Sequence, residues 1–227
     1  MATSGSIDFS LTARSVVEYA LRKIGALDIT QSADADEAAA ALVELEVMLK
    51  EWALSGPYLF TKREGSQTLT SDTASYSLST AKPIRILEAR YRDVNGRDLP
   101  MEELTREEYF ELPLKDANGI PTTFYFDPQP ASWTLYTWPV LITATTEAIK
   151  FTYQRRIEDI DDLSNDLDIP QEWLSTAGYA LAARLLDDYG IADAVADRII
   201  ARSEALLATA RAYDRDTRVM FQPAMMR

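Results

Sequence analysis

The chain carries 36 carboxylates but no histidine and no cysteine. That inventory bounds its chemistry. Serine–histidine and cysteine–histidine nucleophilic catalysis are excluded, as are metal sites built on imidazole or thiolate. What remains is carboxylate, lysine and tyrosine chemistry, and hard cations bound by oxygen. The densest oxygen cluster is EDIDDLSNDLD, residues 158–168. Hard cations need several such ligands. An EF-hand loop does not fit, however: counted from Asp159 the fifth position is Leu163, and counted from Asp162 the sixth is Leu167, where glycine is required. The alternative reading is a solvated linker that feeds negative charge to the N-terminus of the following helix. A pair of carboxylates could hydrolyse a glycosidic bond, but nothing in the spacing marks a particular pair. Neither a GxGxxG nor a Walker A pattern occurs, so nucleotide binding has no support.

A second cluster could bind by stacking. FYFDPQPASWTLYTWP, residues 124–139, holds Phe124, Tyr125, Phe126, Trp133, Tyr136 and Trp138. Such density suits a platform for bases or sugars, or the two arms of a hairpin. Alternation places Phe124 and Phe126 on one side of a strand and Tyr125 on the other. In the next strand Trp133, Leu135 and Thr137 alternate with Thr134, Tyr136 and Trp138. DPQPAS between them is rich in turn formers. The expected result is a structural hairpin with one face in a core. Its outer face, Tyr125, Tyr136 and Trp138, is a candidate contact surface. The run KFTYQRR, residues 150–156, is basic with interleaved aromatics; it reads as a strand with one solvated face, or as a nucleic-acid contact.

Helical periodicity marks the elements at the two ends. Residues 12–24 place Ala13, Val16, Val17, Ala20, Leu21 and Ile24 on one face, with Gly25 as a C-terminal cap. Asp34 and Glu37 have capping-box spacing, followed by Ala38, Leu42, Leu45, Leu49 and Trp52 as a narrow seam, ended at Gly56-Pro57. A further helix has Pro170 in its first turn and carries Leu174, Ala177, Leu181 and Leu185, stopping at Gly190. The last, residues 192–212, places Val195, Ile199, Leu206 and Ala210 together. The middle reads as short strands with turn punctuation: 73–79, 84–93 and 148–156, with Asn95-Gly96 as a hairpin turn. Thr105 and Glu108 form a capping box for one short helix ending before Pro113.

The expected fold class is α+β: an antiparallel four-helix domain from both ends of the chain (1–56 and 168–212), an inserted β-rich domain (57–167), and an extended C-terminal tail (213–227). That tail inverts the charge of the body. The whole chain has a net charge of -13, yet from Arg211 onward there are four Arg against two Asp. Arg215, Arg218, Val219, Met220, Phe221, Met225 and Met226 make it a candidate docking peptide, since methionine makes adaptable interfaces. An acidic body disfavours wrapping nucleic acid. The first residues, MATSGSIDFS, lack a signal-peptide pattern, no apolar run is long enough to span a bilayer, and the lack of cysteine suits a reducing cytoplasm.

Five segments, in this order and spacing, carry a resemblance: ALRKIGAL (20–27), DADEAAAALVELEVMLKEWALSG (34–56), NGRDLPMEELTREEYFELPLK (95–115), GIPTTFYFDPQPASWTLYTWP (119–139) and DIPQEWLSTAGYALAARLLDDYG (168–190). Together they resemble the head-to-tail adaptors of tailed bacteriophages, also called tail accessory factors or packaged-DNA stabilisation proteins. Residues 66–80 match that pattern only loosely. The resemblance implies a structural virion protein without enzymatic activity or cofactor, made in the host cytoplasm and placed at the capsid portal vertex. It implies a dodecameric ring beneath the portal protein, with the C-terminal segment docked on the portal and the β-rich domain facing the next tail or nozzle protein. Packaged DNA would pass through the ring without specific binding. The alternatives from other classes are a tail-associated peptidoglycan hydrolase using carboxylates and a general nucleic-acid binder.

Overall fold

A computed structural model describes residues 5–56 and 58–214. It is an α+β structure with five helices and a seven-stranded sheet among these residues. They divide into two compact units. One joins the residues up to Phe60 to those from Ile157 onward, and the other is Thr61–Arg156.

The first unit holds four helices: α1 (Ala13–Ile24), α2 (Ala35–Leu54), α4 (Gln171–Tyr189) and α5 (Asp193–Tyr213). At the start of α1 the Thr12 hydroxyl accepts from the Ser15 N–H, and at its end Gly25 adopts φ 81°, where a Cβ would be strained. Helix α4 packs on α1, α2 and α5. It is accordingly buried on several sides, through Trp173, Leu174, Ala177, Leu181, Ala182, Leu185 and Leu186. This is wider than the single stripe the periodicity predicts, because a stripe reports one neighbour and α4 has three. Gly178 allows the closest approach: a Cβ there would lie 2.4 Å from the Tyr19 ring of α1. Around Trp173 gather Trp52, Tyr58 and Phe60, with ring centroids 5.4, 4.8 and 5.6 Å away.

Two helix starts differ from expectation. Asp34 is the N-cap of α2 but makes no side-chain capping bond. Glu37, its expected partner, instead accepts a hydrogen bond from the Tyr189 hydroxyl at 2.6 Å. Pro170 is the N-cap of α4 rather than a residue of its first turn. On α5 the buried residues are Ile199, Ser203 and Ala210, while Val195 and Leu206 are only half-buried.

The acidic run is part of the helical unit, packed against it rather than lying free. Ile157, Ile160 and Leu167 are buried. The carbonyls of Leu163 and Asn165 accept from the N–H groups of Arg14 and Ala13 at 2.9 and 2.8 Å, satisfying donors that the first turn of α1 leaves without an intrahelical partner. Asp162 accepts from the Ser164 N–H, and Asp168 from the Glu158 N–H. These carboxylates cap backbone, and among the described residues no cluster of three or more acids is arranged to hold a metal ion.

The second unit is a sheet in the order β1-β7-β3-β4-β5-β6-β2, from β1 (Lys62–Thr68), β2 (Ser75–Ser77), β3 (Arg85–Arg92), β4 (Asp98–Glu103), β5 (Thr123–Gln129), β6 (Ser132–Trp138) and β7 (Ala148–Gln154). All pairs are antiparallel except the short β4–β5 contact. The turn at Asn95-Gly96 joins β3 to β4; the Asp93 carboxylate accepts from the N–H groups of Asn95 and Arg97, and Gly96 has φ 79°. Strands β5 and β6 run further than predicted, to Gln129 and from Ser132, so DPQP lies largely within the ladder. The core of this unit includes Tyr76, Ile86, Tyr91, Phe124, Phe126, Leu135, Ile149, Phe151 and Tyr153. Each large side chain so buried contributes about 1.5–3 kcal/mol. Helix α3 (Arg106–Glu111) completes the unit, with the Thr105–Glu108 capping box formed in both directions.

Among the described residues, no helix is long and apolar enough to cross a membrane.

Candidate functional site: the aromatic face of the insert

The hairpin β5–β6 positions its aromatics by alternation. Phe124, Phe126 and Leu135 enter the core of the insert. Tyr125 and Tyr136 are direct cross-strand partners, with centroids 5.7 Å apart and planes 17° from parallel. Onto this pair α3 lays Tyr109, 5.1 Å from Tyr125 and 5.0 Å from Tyr136. The outcome for the three candidate contact residues is uneven. Tyr125 is only 7% exposed, whereas Tyr136 and Trp138 are half-buried. The assignment of Tyr125 to an exposed face therefore needs correction. Alternation reports which side of a strand a residue occupies, not what packs on that side, and here α3 packs there.

Burial favours the uncharged phenols of this face. Burial pushes the Tyr109 and Tyr125 phenols above their ordinary range, reinforced for Tyr125 by the negative charge of Asp127. Asp127 lies 3.9 Å from the Arg106 guanidinium of α3. The Lys115 ammonium donates to the carbonyls of Phe110 and Leu112 at the end of α3, and sits 5.5 Å from the Tyr109 centroid. The Trp138 indole N–H donates to the Leu114 carbonyl at 2.9 Å. Beside this cluster Phe110, Leu114 and Ile120 are more than half exposed. What the arrangement offers is contact: exposed apolar side chains on a neutral aromatic base. Tyr109, Phe110 and Lys115 escaped the sequence reading of the surface. Their signal was the aromatic pair that follows the capping box in TREEYFELPLK.

Several charged residues of the insert are matched with one another. Arg92 holds Asp98 through two bonds of 2.6 Å, which keeps that carboxyl below its usual range. Arg90 pairs with Glu88 at 2.7 Å, and the Lys150 ammonium donates to the Ser66 hydroxyl at 2.8 Å. The basic run 150–156 is thus strand β7 and its exit: Phe151 and Tyr153 are core, and Arg156 lies 5.7 Å from the Trp133 centroid. The candidate docking residues Arg215, Arg218, Val219, Met220, Phe221, Met225 and Met226 lie outside the described residues.

No protein-family model matches the chain, and no curated protein matches it. Among solved structures it is similar to a chain in the neck of an empty GTA particle computed with C6 symmetry, at 13% identity and TM-score 0.30, covering 79% of this chain and 83% of that one. A chain in the neck of the native GTA particle computed with C12 symmetry is similar at 13% identity and TM-score 0.29, covering 93% and 96% respectively. A third similar chain comes from the virion of the native gene transfer agent particle, at 13% identity and TM-score 0.30, again covering 93% of this chain and 96% of the other.

Proposed function

We propose that this protein is a structural head-to-tail adaptor of a tailed phage: a ring of twelve copies beneath the portal that extends the DNA channel, helps retain packaged DNA and links portal to tail. The observation that carries this reading is the order and spacing of the five resembling segments. Three of them supply the end of α1, then α2 and α4 of the helical unit, and two supply β4, α3, β5 and β6 of the insert. The surface chemistry is consistent with it. A channel through which DNA slides must not grip phosphates, and a chain of net charge -13 repels them. A ring of identical subunits needs a heterologous interface on each one, and a basic tail reaching out of an acidic body suits a distinct partner.

In this reading the tail 215–227 docks on the portal, while the insert meets the next tail component through Tyr136, Trp138 and the exposed Phe110 and Leu114 beside them. The test is co-sedimentation of the purified chain with portal rings encoded in the same genome, at full length and truncated after Asp214. The full-length chain is expected to join the ring and the truncated one to be lost from it. If both join, the tail is not the anchor and the helical body is the dock. If neither joins, the adaptor reading fails. Trp138→Ala is expected to impair attachment of downstream tail parts more than portal binding; equal impairment of both would remove the insert from the tail-side contact.

A further inference from the structure

Helix α2 has two faces of regular spacing. One, through Ala38, Leu45, Leu49 and Trp52, is buried. The other runs Ala40, Val43, Val47, Lys50 and Leu54, at steps of three and four, and lies on the outside of the helical unit. Val43 is 60%, Val47 44% and Leu54 76% exposed. Three branched aliphatics on one stripe of a surface helix are more than the scatter of single apolar residues that soluble surfaces ordinarily carry. A shallow groove covers the Leu54 end of this stripe, lined by Val47 and Leu54 and by the acidic side chains of Glu46, Glu51, Asp159 and Asp161, of which Asp159 pairs with Lys50 and Glu51 with Arg184.

We propose that this groove is the seat of the chain's own C-terminal segment, residues 215–227, in the unassembled protein. This goes beyond the adaptor reading and does not rest on it. Two observations select that occupant. The first is where the described chain ends. Near the close of α5 the Arg211 side chain donates to the Tyr58 hydroxyl at 3.2 Å and to the Ser55 hydroxyl at 3.4 Å, and the Asp214 carboxylate accepts from the Leu59 N–H at 2.8 Å. Ser55 directly follows Leu54, so the segment departs at one end of the exposed stripe. Thirteen further residues reach about 43 Å when extended, and the stripe from Leu54 back to Val43 is about 17 Å long, so the segment covers it with chain to spare.

The second observation is complementarity. The segment RDTRVMFQPAMMR offers three Arg against one Asp, with Val219, Met220, Phe221, Met225 and Met226 as apolar anchors. Its charge is opposite to the groove and its apolar side chains are of the kind that adapt to a shallow floor. A second copy laid α2 against α2 would instead bring two acidic rims together, which disfavours that occupant. Seated this way, the tail shields an apolar stripe while free and leaves it when a partner takes the tail.

The chain has no cysteine, so Gln222→Cys introduces a single thiol for a nitroxide label in the full-length protein. Amide spectra recorded with the label oxidised and reduced then report what the tail lies near. The expected result is loss of signal at Val43, Val47 and Leu54 within one molecule, restored when Arg215→Glu and Arg218→Glu are added. Unchanged amide positions elsewhere in the spectrum verify that the variant is folded. No loss at α2 overturns the proposal. So does equal loss in mixtures of labelled, unenriched chain with isotopically enriched, unlabelled chain, because the occupant is then a second copy's tail.

Discussion

Single residues set where this molecule has no slack. Gly178 faces the Tyr19 ring and Gly65 the Phe151 ring, and a Cβ would lie 2.4 Å from the nearest ring carbon at the first and 2.5 Å at the second. Gly178→Ala is expected to lower stability by about 1–3 kcal/mol, the usual cost of overpacking, read as a shift of the urea midpoint. An unchanged midpoint would mean that Tyr19 moves aside freely. The Tyr189 phenol makes a pH-dependent contribution. Burial, then its hydrogen bond to Glu37, pushes its pKa up from 10.0 to about 12. The neutral form is the one the fold holds, so this stability is present in full below the unfolded value and is lost as pH rises from 10 to 12. Tyr189→Phe should therefore be less sensitive to pH across that window, measured by urea unfolding at either end of it. The same contact accounts for the one capping box that spacing predicts and the molecule does not form. Glu37 had the right position for Asp34, but a tyrosine from a helix 152 residues away took its carboxylate.

At the scale of elements, α3 governs the candidate contact face. It is only six residues long and too short to persist alone. Its capping box and the seating of Tyr109 on Tyr125 and Tyr136 hold it. Thr105→Ala is expected to cost about 1 kcal/mol. Tyr109→Ala should cost about 3 kcal/mol and raise amide exchange in residues 106–111, as deletion of a buried ring ordinarily does. Unaltered exchange there would show that α3 is held by something other than this stack. The helix itself was legible, because both halves of its box are local. Its cover over Tyr125 was not, because nothing local says where a six-residue helix lands. The strap 157–168 makes the same point from another side. Its acids read as solvated charge, yet its Leu163 and Asn165 carbonyls complete the first turn of α1.

Over the whole molecule the dominant property is charge. With 36 acidic against 23 basic side chains, long-range repulsion of phosphate outweighs the local basic run of β7, whose Lys150 is already bonded to Ser66. Full-length protein is therefore expected not to retain duplex DNA at physiological salt in a filter or mobility assay. Retention that falls steeply with added salt would overturn this and favour a nucleic-acid binder.

The sequence by itself determined the helices with their limits and most of the strands, though not β1, because caps, turns and periodicity act within a few residues. It also determined the absence of imidazole and thiol chemistry and the contrast between an acidic body and a basic tail, because composition needs no fold to be read. Only the tertiary structure decided which faces are covered: α4 on three sides, Tyr125 beneath α3, and the acidic strap against α1, while the stripe Val43, Val47 and Leu54 on α2 is exposed among the described residues. Periodicity identifies a face that can be buried. Which partner covers it depends on contacts between residues far apart in the chain, and spacing along the chain holds no record of those.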